Sequence, residues 1–175
     1  VPYTEQAAKK LGECSMTTII FASCSRRGEF VFEEGDTMLY ALAPFPYMSG
    51  ATARGFDREF NFTFLPPLEE AEAMGFQERI QEGFRLALRE GLDAFNGVAS
   101  VLVKIGEQFT EGAGGLQLST YLLDPRVLAR LVRGLIRSRL DGRSYLLPRD
   151  LWDVKYIGTG SMDTSLFRSQ IEEHW

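Results

Sequence analysis

The run Val154-Lys155-Tyr156-Ile157-Gly158-Thr159-Gly160-Ser161-Met162-Asp163-Thr164 has the strongest pattern for chemistry in the sequence. An apolar stretch that reads as a strand ends in small residues, and a stretch with helical spacing follows. Glycines at such a junction let a flat ligand approach the backbone closely. The amides of a helix N-terminus then face the same space and favour a partial negative charge. The same residues equally fit a tight strand-to-helix turn with no ligand. No Gly-Lys-Ser/Thr triplet follows, so this is not a Walker phosphate loop.

The second candidate is Pro44-Phe45-Pro46-Tyr47-Met48-Ser49-Gly50. Two prolines remove backbone donors, so the sequence predicts a loop here. It follows Thr37 to Ala43, a nearly continuous apolar run that reads as a buried strand of a parallel sheet. In open α/β sheets, ligands bind at that edge. Phe45 and Tyr47 are candidates to line an apolar or aromatic pocket, with plain loop packing as the alternative.

Other candidates carry less. Gly112-Ala113-Gly114-Gly115 has no clear preceding strand and no Lys, and reads as a flexible connector. Arg126, Arg130, Arg133 and Arg137 recur on one face of a helix. A solvated face is the favoured reading, and a phosphate-bearing partner or acidic protein surface is the functional one. His174 is the single histidine, with no local Ser or Cys arrangement to serve. No Cys/His cluster has metal-ligand spacing, so no metal site is expected. Cys14 and Cys24 read as buried structural thiols in a reducing compartment.

The elements that must position these groups alternate between periods. Thr4 to about Phe21 reads as a helix capped by the Thr4 hydroxyl. Phe30 and Phe32 suit a short strand, and Gly35-Asp36 a turn. Phe60, Phe62 and Phe64 alternate as a half-buried strand stopped by Pro66-Pro67. Leu68 to about Phe95 is predicted helical in two pieces, broken near Gly75. Val98 to Ile105 is β-branched and reads as a strand. Asp124-Pro125 starts a helix that runs to about Leu140. Its apolar stripe is Leu128, Leu131, Val132, Leu135 and Ile136. Trp152 to Ile157 is a further strand, and Thr164 to Trp175 a last helix. Buried strands between amphipathic helices predict an α/β fold with a mostly parallel sheet and flanking helices, as one unit over residues 1–175.

Composition bounds the function. The 175 residues are 45% apolar and 25% charged, which is ordinary for a globular domain and excludes a disordered or collagen-like chain. A net charge of -5 argues against a general nucleic-acid binder. The longest uncharged run, Thr37 to Ala53, holds Pro44 and Pro46 and is not a membrane span. Lys9, Lys10 and Glu13 interrupt any signal-peptide core, so a cytoplasmic location is expected. The first residue is Val1, which suggests a trimmed or truncated start.

Together these pieces resemble the adenylate-forming superfamily of acyl-CoA ligases, most closely its auxin-conjugating branch and the phenylacetate-CoA ligases. In that family a phosphate loop ending in Lys precedes a stretch like Val1-Pro2-Tyr3-Thr4 and a helix. Pro44 to Gly50 resembles the loop bordering the acyl pocket, with Tyr47 where many relatives have His. Trp152 to Trp175 resembles the segment where a strand reaches a small-residue turn that packs on adenine. The resemblance spans nearly the whole chain, as a middle slice of the family's large N-terminal domain. It implies that Gly158, Thr159, Gly160 and Ser161, with Met162 and Asp163 beside them, face the nucleotide. It implies that Tyr47 and Gly50 border the acid, in the loop that also holds the candidate Phe45.

The departures are as specific. The phosphate loop would lie before Val1. The Thr/Ser-Glu motif that helps hold magnesium would lie after Trp175. The ribose-binding Asp and the catalytic Lys of the small domain have no matching positions, so no catalytic residue is assigned. The resemblance implies a parent enzyme that uses ATP and magnesium to make an acyl-adenylate, then passes the acyl group to an amine or to CoA as one candidate acceptor. The chain alone is expected to be inactive. The alternative is a non-catalytic α/β module that binds a partner or self-associates. Under either reading, a homo-oligomer through a sheet edge or apolar face is expected.

Overall fold

The computed structural model describes residues 22–23, 33–42, 48–110, 124–159 and 164–175. The five strands are β1 (Ala22–Ser23), β2 (Thr37–Tyr40), β3 (Thr63–Leu65), β4 (Ala94–Gly97) and β5 (Tyr156–Thr159). The helices are α1 (Met48–Phe60), α2 (Leu68–Ala73), α3 (Phe76–Glu90), α4 (Ala99–Thr110), α5 (Pro125–Leu140), α6 (Pro148–Leu151) and α7 (Thr164–His174). The expected helix from Thr4, the Phe30/Phe32 strand and the Gly112–Gly115 connector lie outside the described residues, as do both cysteines.

The sheet order is β1-β5-β4-β2-β3, and β2, β3, β4 and β5 are mutually parallel. Only β1 runs antiparallel, with Ala22 opposite Thr159. The chain leaves β2 outward to β3, then crosses back to β4 and continues to β5. Winding therefore reverses between β2 and β4. Right-handed crossovers send helices to opposite faces on the two sides of such a point. The core divides accordingly. On one face Met38 and Tyr40 pack with Ala53 of α1, Phe62, Phe64, Ala94 and Tyr156. On the other, Leu39, Phe95 and Ile157 meet residues of α3, α4, α5 and α7.

Aromatic side chains fill the second face. Trp152 stacks on Trp175 with centroids 6.1 Å apart, and Phe84 and Phe109 close around the pair. Each indole still needs an acceptor when buried. Trp152 Nε1 donates to Ala87 O at 2.9 Å, and Trp175 Nε1 to Leu102 O at 3.2 Å.

Several expectations hold. The apolar run from Thr37 forms a strand with both faces covered. Asp124 caps α5 by accepting from the Arg126 amide at 2.9 Å, with Pro125 in the first turn. The helical stretch from Leu68 breaks at Gly75, between α2 and α3.

Others are corrected. The predicted strand at Val98 to Ile105 is α4. Ala99, Leu102, Val103 and Gly106 are buried at helical spacing, and this outweighs weak β-propensity. The strand lies just before it, at Ala94–Gly97, where the sequence predicted the tail of a helix. Phe60 ends α1 instead of opening a strand, and Met48 to Gly50 are the first turn of α1 instead of loop. Trp152 and Asp153 precede β5. Their strand begins only where the Lys155 and Tyr156 amides both donate to Asp93 O.

The apolar stripe of α5 is corrected as well. Val127, Leu131, Gly134 and Ser138 form its buried face. Of the predicted stripe only Leu131 is buried, while Leu128, Val132, Leu135 and Ile136 are 46–56% exposed. No helix among the described residues is long and apolar enough to cross a membrane.

Candidate functional site

All four parallel strands end at one edge of the sheet, which places the backbone after Tyr40, Leu65, Gly97 and Thr159 on a common side. A small, open pocket lies there, beyond β2 and β3. Tyr40 at the end of β2, Leu42 just after it, and Pro66 after β3 form its base. Gly50, Ala53 and Arg54 of α1 form one wall, and Leu68, Ala71 and Glu72 of α2 another. Arg79, from the first turn of α3, completes it.

The polar groups of this pocket are few and distinct. Arg54 and Glu72 form an ion pair at the exposed rim. Hydrogen bonding to Glu72, with its charge, holds the Arg54 pKa above the ordinary value against some burial. Tyr40 is 6% exposed, and burial pushes its phenol well above the usual range, so it stays a neutral hydroxyl. Arg79 is 4% exposed. Its Nη1 donates to Ala71 O at 3.2 Å, while its Nε has no partner among the described residues. Burial pushes the Arg79 pKa down. Arg79 is a buried cation with one carbonyl for company, an arrangement proteins rarely leave uncompensated.

The candidate residues from the sequence fall partly at this edge. Gly50 lies buried in the pocket wall. Gly158 and Thr159 end β5 at the same edge and are buried. Phe45, Tyr47, Gly160, Ser161, Met162 and Asp163 lie outside the described residues. Gly158 does not leave an empty cradle. A Cβ there would sit 2.6 Å from the Tyr156 hydroxyl oxygen, so that side chain already uses the room. Any contact from Gly158 to a flat ligand is therefore through its backbone.

The register links the two candidate areas. Tyr40, Asn96 and Gly158 are side-by-side partners across β2, β4 and β5, on the face that packs α1. Asn96 is 1% exposed, and its Oδ1 has no partner among the described residues. Sequence reading missed Asn96 and Arg79. Asn96 fell just past a helix predicted to end at about Phe95, and Arg79 meets its partner, Ala71 O, on α2, outside its own helical pattern.

The remaining polar clusters have structural work. Arg126 pairs with Glu90, and Arg133 and Arg137 both pair with Asp153. Arg130 donates to Leu88 O at 2.9 Å and Leu151 O at 3.3 Å. The arginine face of α5 thus grips its own fold. At the opposite, amino end of the sheet, Lys155 pairs with Asp36 at 2.8 Å, and Asp93 accepts from the Thr37 amide and hydroxyl. His174 is buried where α7 crosses α4 at Gly106. Among the described residues no three of His, Cys, Asp or Glu are grouped to hold a metal.

No family model matches this chain, and no curated protein or solved structure matches it either.

Proposed function

We propose that the chain is part of an ATP-dependent ligase that activates a carboxylic acid as an acyl-adenylate, and that it supplies the acid-side and nucleotide-side walls. The observation that carries this reading is the position of Gly50. The residue that the resemblance assigns to the acyl pocket lines the pocket at the carboxyl edge of the sheet, where open α/β folds bind ligands. Gly158 and Thr159, assigned to the nucleotide side, end β5 at that same edge. With β4 between them, β2 and β5 are about 10 Å apart at ordinary strand spacing. That separation suits an acid and a nucleotide bound side by side.

ATP, when bound, supplies the α-phosphorus that a carboxylate oxygen attacks as pyrophosphate leaves. The residues here contribute positioning: apolar walls for the acid, and backbone at the end of β5 for a flat base. The groups that neutralise phosphate charge, the larger electrostatic part of such chemistry, have no counterpart in this sequence. The reading assigns the activated acyl group to CoA or an amine and the chain to the cytoplasm, where both co-substrates occur.

Calorimetric titration with AMP and with Mg-ATP tests the reading. Weak binding that Gly160→Val abolishes is expected, together with no ATP–pyrophosphate exchange by the chain alone. Robust exchange, or AMP binding indifferent to Gly160→Val, would overturn it.

A second reading, self-association, is favoured by one observation. Leu128, Val132, Leu135, Ile136 and Leu140 form an exposed apolar sector of α5, with Leu140 82% exposed. Contiguous apolar surface of this kind marks interfaces. Light scattering should then show mass rising with concentration, and Leu135→Glu should return it to that of one chain. A constant single-chain mass would remove this reading.

A further inference from the structure

We infer that the pocket between α1, α2 and α3 is a binding site for the carboxylate of a small, largely apolar acid, and that Arg79 is its anchor. The inference concerns binding alone and does not rest on the ligase reading.

Three observations carry it. The first is the state of Arg79. The residue is 4% exposed, its Nη1 donates to one backbone carbonyl, and its Nε is buried with no partner among the described residues. A guanidinium carries five N–H donors in a planar fork that matches a carboxylate through two parallel bonds. The second is where it lies: in the lining of an open pocket, so an anion has a path to it. A buried arginine enclosed by packed side chains would carry no such implication.

The third is the chemistry of the walls. Leu42, Ala53, Pro66, Leu68 and Ala71 present carbon to the space, and Tyr40 adds a neutral hydroxyl. The charges sum to one. Arg54 is neutralised by Glu72, and only Arg79 remains. A single buried positive charge among apolar walls fits a monoanionic carboxylate on a hydrocarbon body. Inorganic phosphate carries a charge of about −1.5 near neutral pH, all of it on one compact group with no hydrocarbon to fill the walls, and suits them less.

The position also has a consequence. Arg79 and its carbonyl partner Ala71 belong to the β3 side, and β3 is three strand spacings, about 14 Å, from β5. In a ligase, the group on Arg79 would be an end of the acid other than the one activated at β5.

The test uses the whole chain without nucleotide. Hexanoate and adipate are titrated against hexanamide, the neutral match of hexanoate, and against inorganic phosphate. Binding is followed by heat and by the Nε–Hε resonance of Arg79. Both acids should bind and shift that resonance, while hexanamide and phosphate should bind at least tenfold more weakly. Arg79→Met should abolish the preference of hexanoate over hexanamide, and Arg79→Lys should retain part of it. Should Arg79→Met fail to fold, the Nε–Hε shift in the unsubstituted chain still decides. No acid binding, an unmoved Arg79 resonance, or equal affinity for hexanoate and hexanamide would overturn the inference and leave Arg79 as a cap for the α2 carbonyl. Since no nucleotide is present, these outcomes are independent of the AMP titration that tests the ligase reading.

Discussion

Replacing Asp150 by Ala should be among the most damaging single changes outside the aromatic core. Asp150 is 2% exposed and holds Arg143 through two bonds, Nη1 to Oδ2 at 2.8 Å and Nη2 to Oδ1 at 2.7 Å. Its Oδ2 also accepts from the Leu147 amide at 2.8 Å, capping α6. The Arg143 side chain is only 12% exposed. Removing one partner of a buried pair leaves the other charge stranded, which costs about 3–5 kcal/mol. The lost cap adds about 1 kcal/mol. Asp141 remains 2.8 Å from Arg143 Nη2 but is exposed, and such a partner returns less than about 1 kcal/mol. The expected net loss is about 3–5 kcal/mol, measured by urea unfolding. At this size it corresponds to a fall in Tm of roughly 6–20 °C. Asp150→Asn should cost less than Asp150→Ala, because an amide oxygen can still cap α6. Adding Arg143→Met to Asp150→Ala should recover part of the loss by removing the stranded charge. A cost below about 1 kcal/mol for Asp150→Ala, or strict additivity of the two substitutions, would refute the reasoning.

Two further perturbations test the crossing of α4 and α7 and the ion pair at the amino end of the sheet. Gly106→Ala would place a methyl 2.1 Å from His174 Nδ1 and 2.5 Å from Cγ, so α4 and α7 must separate. A loss of at least about 1–3 kcal/mol is expected, and unchanged stability would contradict the crossing described. Burial pulls the Lys155 pKa down, but hydrogen bonding and charge from Asp36 raise it by more, so it ends above the ordinary lysine value. Its contribution is then complete below that ordinary value and is lost as pH rises through the folded value. Lys155→Met should lower stability at neutral pH and flatten the decline above about pH 10, the ordinary lysine range. A decline of unchanged steepness in the variant would contradict the pairing.

What could be read from the sequence was local and redundant. The start of α5 is specified twice, by the Asp124 carboxylate and by Pro125, and both act within one turn. The strand at Thr37 shows as an apolar run because both its faces are covered. The break at Gly75 shows as a pause in helical spacing. What could not be read depends on distant partners. Strand β4 contains Asn96 and Gly97, two poor strand formers, and is held by ladders to β2 and β5. Helix α5 has two apolar sectors, and the one with larger side chains is the exposed one. Gly134 and Ser138 are small enough for the other to approach the fold closely. Gly50 could be named as a site residue from the pattern after a buried strand. Arg79 could not, because Phe-Gln-Glu-Arg in a first turn looks like solvated surface until α2 covers it.

The most direct test of the proposed nucleotide wall is an amide chemical-shift map of the chain titrated with AMP. The largest shifts are expected at Gly158 and Thr159 and in the 160–163 segment after them, with none in the Lys155–Asp36 cluster at the opposite edge. Gly160→Val should remove them. Shifts confined to other surfaces, or no shift at millimolar AMP, would contradict the assignment of a nucleotide to the carboxyl end of β5.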